Sequence, residues 1–135
     1  MCSLGEYLKN FGEINVVAVT NRHLCRGDFF EQIEKLAQSG VKAIILREKD
    51  LSEAEYENLA KKAIEICEKY NKELILHTFY DAALKLNHKK IHLPIFALKE
   101  ACEKGLLANF EKIGTSVHSL EQLEEAKNCG ATYCT

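Results

Sequence analysis

The chain has 135 residues, 18 Lys+Arg against 20 Asp+Glu, and a formal net charge of −2. With 47% hydrophobic and 28% charged residues it has the composition of one globular domain, residues 1–135, which excludes disorder and collagen-like repeats. Near-neutral charge speaks against a nucleic-acid binder, no apolar run approaches the roughly 18 residues of a membrane span, and the N-terminal MCSLGEYLKNFGE lacks the apolar core of a secretory leader, so a cytoplasmic protein is expected.

The pattern alternates strand and helix from end to end. Val16 to Thr20 is a β-branched apolar run, read as a strand buried on both faces. Asp28, with Glu31 three residues on, opens a helix that Gly40 ends. Val41 to Leu46 is the second strand, followed by the charged run Arg47-Glu48-Lys49-Asp50. Ser52 and Glu55 form a capping box for the longest helix, to about Tyr70, and Leu74 to Leu76 is the third strand. A short helix over Tyr80 to Leu86 leads to a fourth strand, Ile91-His92-Leu93, stopped by Pro94, the only proline. Leu98 to Leu107 is read as helix, Lys112 to Ser116 as the fifth strand, and Ser119 with Gln122 as the cap of a last helix ending at Gly130. Ala131 to Cys134 begins a sixth strand.

The six cysteines (Cys2, Cys25, Cys67, Cys102, Cys129, Cys134) are scattered and include no Cys-x-x-Cys pair. They read as reduced structural thiols, and no zinc site is drawn from them. Repeated strand–helix units predict an α/β protein with parallel pairing and right-handed crossovers. Two architectures share that pattern. A doubly wound open sheet fits 135 residues, whereas a (β/α)₈ barrel typically needs at least about 200, so the chain would supply about five βα units plus a sixth strand.

In either architecture, function sits at the carboxyl ends of the strands. Arg47 and Lys49 flank Glu48 at the end of strand two, and this alternation lets two cations face one side, which suits a phosphate or pyrophosphate better than a neutral ligand. A solvated charged loop has the same composition. The seven glycines are isolated, so neither a P-loop nor a dinucleotide fingerprint is present. His77, His92 and His118 follow three consecutive strands, as a zinc triad, as single pocket-wall histidines, or with one as an acid–base group.

The run Ile45-Leu46-Arg47-Glu48-Lys49-Asp50 resembles the Q-L-R-E-K-D signature of thiamine phosphate synthases and their thiazole tautomerase relatives. Val19-Thr20-Asn21-Arg22, Asp81-Ala82-Ala83-Leu84, Ile91-His92-Leu93, Ile113 to Ser119 (the family's I-G-x-S-V-H-S) and Gly130-Ala131-Thr132-Tyr133 continue the resemblance in order. It implies an incomplete TIM (β/α)₈ barrel lacking its last units, acting on thiazole phosphate or, in the synthases, also on hydroxymethylpyrimidine pyrophosphate. Carried over residue by residue, it makes Arg47 and Lys49 the phosphate or pyrophosphate ligands and lines the pocket with Ser116 and His77. It makes His118 the acid–base group of a tautomerase.

The departures favour that metal-independent chemistry. The family's strand-two Gln is Ile45 here, its N-D-R is His77-Thr78-Phe79, and its second magnesium-binding Asp is Ala97. No metal ligand and no cofactor is therefore expected, with magnesium required only by a divergent synthase. A non-catalytic phosphate-ligand-binding or regulatory remnant is the third reading. An opened barrel exposes strand edges, so a homo-oligomer covering that edge is a further expectation.

Overall fold

The computed structural model describes residues 16–135, so the readings of Cys2 and of the N-terminal segment lie outside the described residues. Six parallel strands stand in chain order: β1 (Val17–Val19), β2 (Ala43–Leu46), β3 (Glu73–His77), β4 (Lys90–Pro94), β5 (Lys112–Ser116) and β6 (Tyr133–Cys134). Helices α1 (Phe29–Gln38), α2 (Glu53–Lys69), α3 (Tyr80–Lys85), α4 (Ile95–Glu103) and α5 (Leu120–Asn128) fill the crossovers. Each strand pairs with the next in the chain, and the sheet curls into a half-barrel. This decides between the two architectures, since a doubly wound sheet places its first strand in the interior of the order.

The helix starts follow from their caps. Asp28 accepts hydrogen bonds from the N–H groups of Phe30 and Glu31, and Ser52 and Ser119 each accept one from the third residue onward. The Ser52 hydroxyl also donates to Glu55 Oε1 at 2.9 Å. Gly130 sits at φ +89°, just past α5, the left-handed turn position that glycine takes without a Cβ penalty.

Strand β4 ends at Pro94 as read from the sequence, but the helix after it runs from Ile95 to Glu103 rather than from Leu98 to Leu107. Pro94 pairs with Ser116 as the last strand residue and at once serves as N-cap of α4, so Ile95, Phe96 and Ala97 are helical. A proline φ of −60° with no N–H to satisfy suits a helix start as well as it breaks a helix interior.

Side chains alternate across the sheet. The outward set, including Ile44, Leu46, Leu74, Leu76, Ile91, Leu93 and Ile113, packs against Ile33, Tyr56, Ala60, Ala63 and Leu98 of the helices to make the main core. The concave set has a small separate cluster, Ala43, Ile45 and Ile75. Strand β1 departs from the expectation of burial on both faces. Ala18 is buried outward, but Val17 and Val19, on the concave side, are 40% and 51% exposed because no described residue packs across from them. Cys25, Cys67, Cys102, Cys129 and Cys134 are free thiols, with Cys67 buried in the core. No described helix is long and apolar enough to cross a membrane.

Candidate active site

Register fixes what points into the half-barrel. With Ile45 beside Ile75, His77 beside His92, and His92 beside Gly114, the concave row runs Arg47, His77, His92, Gly114 and Ser116 near the carboxyl ends of the strands. Below it Glu73, Lys90 and Lys112 form a charged layer, with Lys112 Nζ 2.7 Å and Lys90 Nζ 3.7 Å from Glu73 Oε1. Burial would raise the Glu73 carboxyl, but its bond to Lys112 and the charges of Lys90, Lys112 and Lys42 outweigh that and hold it below the usual carboxylate range.

The strand-two signature separates by parity. Glu48 is buried on the side away from the barrel lumen, where Thr20 Oγ1 donates to Oε2 at 2.7 Å, and the Arg22 N–H and Nη1 donate to Oε1 at 3.0 and 3.1 Å. Thr20 Oγ1 also accepts from the Arg47 N–H at 3.1 Å. Asp50 completes the clamp with paired bonds from Arg22 at 2.7 and 2.6 Å and a contact to His23 Nε2 at 2.8 Å. Arg22 and His23 hold the Asp50 carboxyl well below the usual range. Arg47 and Lys49 are exposed and in no ion pair among the described residues, and the charge of each acts on the His77 imidazole.

The two imidazoles at the mouth are stacked. His77 and His92 have ring centroids 5.3 Å apart and planes 12° apart. Burial, then His92, Arg47 and Lys49, push the His77 imidazole down to about 3, and burial also lowers His92. Both rings are therefore neutral at physiological pH. His77 Nδ1 lies 2.7 Å from the hydroxyl of Thr78, which sits at φ +69°. A left-handed conformation is unusual for a β-branched residue and marks a strained corner at the mouth. The Phe79 N–H closes it by donating to His77 O at 2.8 Å. Behind it, the buried Tyr56 hydroxyl donates to Leu46 O at 2.6 Å and accepts from the His77 N–H at 2.9 Å, bridging β2 and β3 where their pairing ends.

A second chain of contacts starts at Gly114. A Cβ there would stand 2.1 Å from the Tyr133 ring, so the absent side chain is what lets that ring lie across β5. Tyr133 Oη reaches His92 Nδ1 at 3.0 Å, His92 Nε2 reaches Ser116 Oγ at 2.9 Å, and Ser116 Oγ lies 3.0 Å from Thr135 Oγ1. Burial pushes the Tyr133 phenol up to about 12, so it keeps its proton.

Of the residues expected from sequence, Arg47, Lys49, His77 and Ser116 line one mouth. His118 lies two residues past Ser116 and is exposed; its backbone N–H donates to Gln122 Oε1 at 2.7 Å, and its ring has no hydrogen-bond partner among the described residues. The three-histidine metal cluster does not form: among the described residues no three His, Cys, Asp or Glu converge. The donor set does not fit magnesium, which requires carboxylate oxygens. Glu48 and Asp50 are bound to Thr20, Arg22 and His23, and the exposed Asp81 in the first turn of α3 is a single carboxylate beside imidazoles, hydroxyls and two cations. Tyr133, Thr135 and the anchoring role of Glu48 were missed by sequence reasoning. The signals present were an isolated glycine in strand five and an acid alternating with two cations.

A parallel βα half-barrel with its polar groups at the carboxyl ends of the strands has the layout of the TIM-barrel enzymes. The sequence profile of thiamine monophosphate synthase matches residues 16–135, and the chain belongs to that family. It is 35% identical over 118 residues to "Putative thiamine-phosphate synthase 2" of Aquifex aeolicus, covering 87% of this chain and 63% of that one. It is 31% identical over 122 residues to the thiamine-phosphate synthase of Caldanaerobacter subterraneus subsp. tengcongensis, covering 90% and 57%. In fold it is similar to a thiamine phosphate pyrophosphorylase from Pyrococcus furiosus, with a TM-score of 0.70 at 24% identity, covering 90% of this chain and 59% of that one. The chain thus spans about three-fifths of the length of the curated relatives it matches.

Proposed function

We propose that the chain serves thiamine biosynthesis by binding a thiazole phosphate at the half-barrel mouth and moving a ring proton without a metal, as a tautomerase does. The observation that carries this reading is the parity of the strand-two signature. With Glu48 turned outward and clamped, Arg47 and Lys49 are left unpaired among the described residues, beside two neutral imidazoles. Two cations suit a phosphate dianion, the guanidinium through paired N–H donors and the ammonium as a point charge. Proton transfer to and from a ring carbon at neutral pH calls for an imidazole, and this reading assigns that role to His118, which the family resemblance singles out.

A divergent synthase, joining hydroxymethylpyrimidine pyrophosphate to thiazole phosphate, is the second reading, favoured by the names its relatives carry. The two are separated by one set of assays on the purified chain. Conversion of the thiazole phosphate tautomer without magnesium, lost in His118→Ala and weakened in Arg47→Ala through a higher KM, is the expected result. Magnesium-dependent coupling of the two substrates would replace the tautomerase by the synthase. Phosphate-ligand binding by folded protein with neither turnover would establish a non-catalytic binding protein.

A further inference from the structure

We propose that Tyr133 locks His92 as its Nε2–H tautomer, so that Ser116 receives a hydrogen bond from the imidazole and keeps its own hydroxyl proton for an anionic ligand. Ser116 is then a committed donor in the phosphate subsite, and Tyr133 and His92 are its positioning residues. For its ligand, the inference rests on the phosphate reading above; the tautomer assignment stands without it.

A neutral imidazole has one N–H and one bare nitrogen, and its two neighbours decide which is which. At Nδ1 the neighbour is a phenol, at 3.0 Å. A phenol is a far stronger acid than a neutral imidazole N–H, and its oxygen lone pairs are drawn into the ring. The favoured bond therefore runs from O–H to Nδ1. Tyr133 Oη has no other hydrogen-bond partner among the described residues, so the reverse tautomer would leave the phenolic proton without a protein acceptor. The ring cannot evade the choice by taking a second proton. It is buried and stacked on His77, with Arg47 and Lys49 acting on the far side of that pair.

With Nδ1 accepting, Nε2–H donates to Ser116 Oγ at 2.9 Å. The Ser116 proton then points to Thr135 Oγ1, 3.0 Å away, or to an incoming ligand oxygen. The unprotonated oxygens of a phosphate only accept, so this polarity suits them, while the opposite tautomer would turn Ser116 into an acceptor. Gly114 is part of the device, because only an absent side chain lets the Tyr133 ring lie across β5 to reach His92.

The test uses long-range proton–nitrogen NMR on the ¹⁵N-histidine-labelled full chain, with the His92 signals assigned by their loss in His92→Gln. A bare Nδ1 and a protonated Nε2 are expected, collapsing to a tautomer mixture in Tyr133→Phe, which retains the ring over Gly114. A protonated Nδ1 in the parent chain, or a tautomer unchanged by Tyr133→Phe, overturns the assignment. Titration with inorganic phosphate should then show affinity lower by about two- to tenfold in Tyr133→Phe, the span of one hydrogen bond. That loss should vanish when Ser116→Ala is already present. Equal losses with and without Ser116 overturn the donor role. A parent chain that binds no inorganic phosphate overturns the phosphate reading and Ser116's part in it, whereas the tautomer is decided by NMR alone.

Discussion

His77 shows how one buried side chain couples the mouth to pH. Burial, reinforced by His92, Arg47 and Lys49, brings its imidazole to about 3, against an ordinary value near 6.5. Below 6.5 the unfolded chain binds a proton that the folded chain refuses. The stability contributed by the neutral ring is thus full above pH 6.5 and is lost as pH falls towards 3. The slope from this group reaches at most about 1.4 kcal/mol per pH unit, and His92, shifted the same way, adds to it. Urea midpoints at pH 7 and pH 4.5 should separate less in His77→Gln than in the parent chain, and equal separations would refute the assignment.

Elements are positioned by the clamp that joins the β1–α1 loop to the β2–α2 loop. Glu48 is almost wholly buried and satisfied by Thr20 and Arg22, so Glu48→Ala leaves the buried Thr20 hydroxyl without its acceptor and the part-exposed Arg22 guanidinium with Asp50 as its remaining carboxylate partner. We expect a loss of about 1–3 kcal/mol by chemical denaturation. Binding of inorganic phosphate, followed by calorimetry, should weaken as well, because Arg47 takes its backbone position from Thr20. At this scale much was legible: caps at Asp28, Ser52 and Ser119 are local chemistry, and the Arg-Glu-Lys alternation announces its own two faces. The start of α4 was read three residues late, at Leu98, because a proline that breaks a helix interior is welcome at a helix start. The link from Tyr133 to His92 spans 41 residues and depends on sheet register and a missing Cβ, neither of which local pattern encodes.

Across the whole molecule, stability and chemistry occupy opposite faces of one sheet. The outward side chains share the main core with the helices, while the lumen holds three buried aliphatics, the exposed Val17 and Val19, and the polar groups of the site. Leu93→Ala on the outward face should cost about 2–5 kcal/mol, whereas Ile75→Ala, with few apolar neighbours to lose, should fall at or below the low end of that range. Matched denaturation curves check this, and equal losses would show that the lumen carries as much of the fold as the helix layer. Periodicity alone left an open sheet and a barrel undecided, because both need the same alternation of strands and helices. Strand order in space follows strand order in the chain from β1 to β6. Each unit leaving the ribosome therefore finds its template already made, with no earlier neighbour waiting for a later strand to be slotted between. Assembly of this sheet can proceed by accretion, one strand and one helix at a time, in the direction of synthesis.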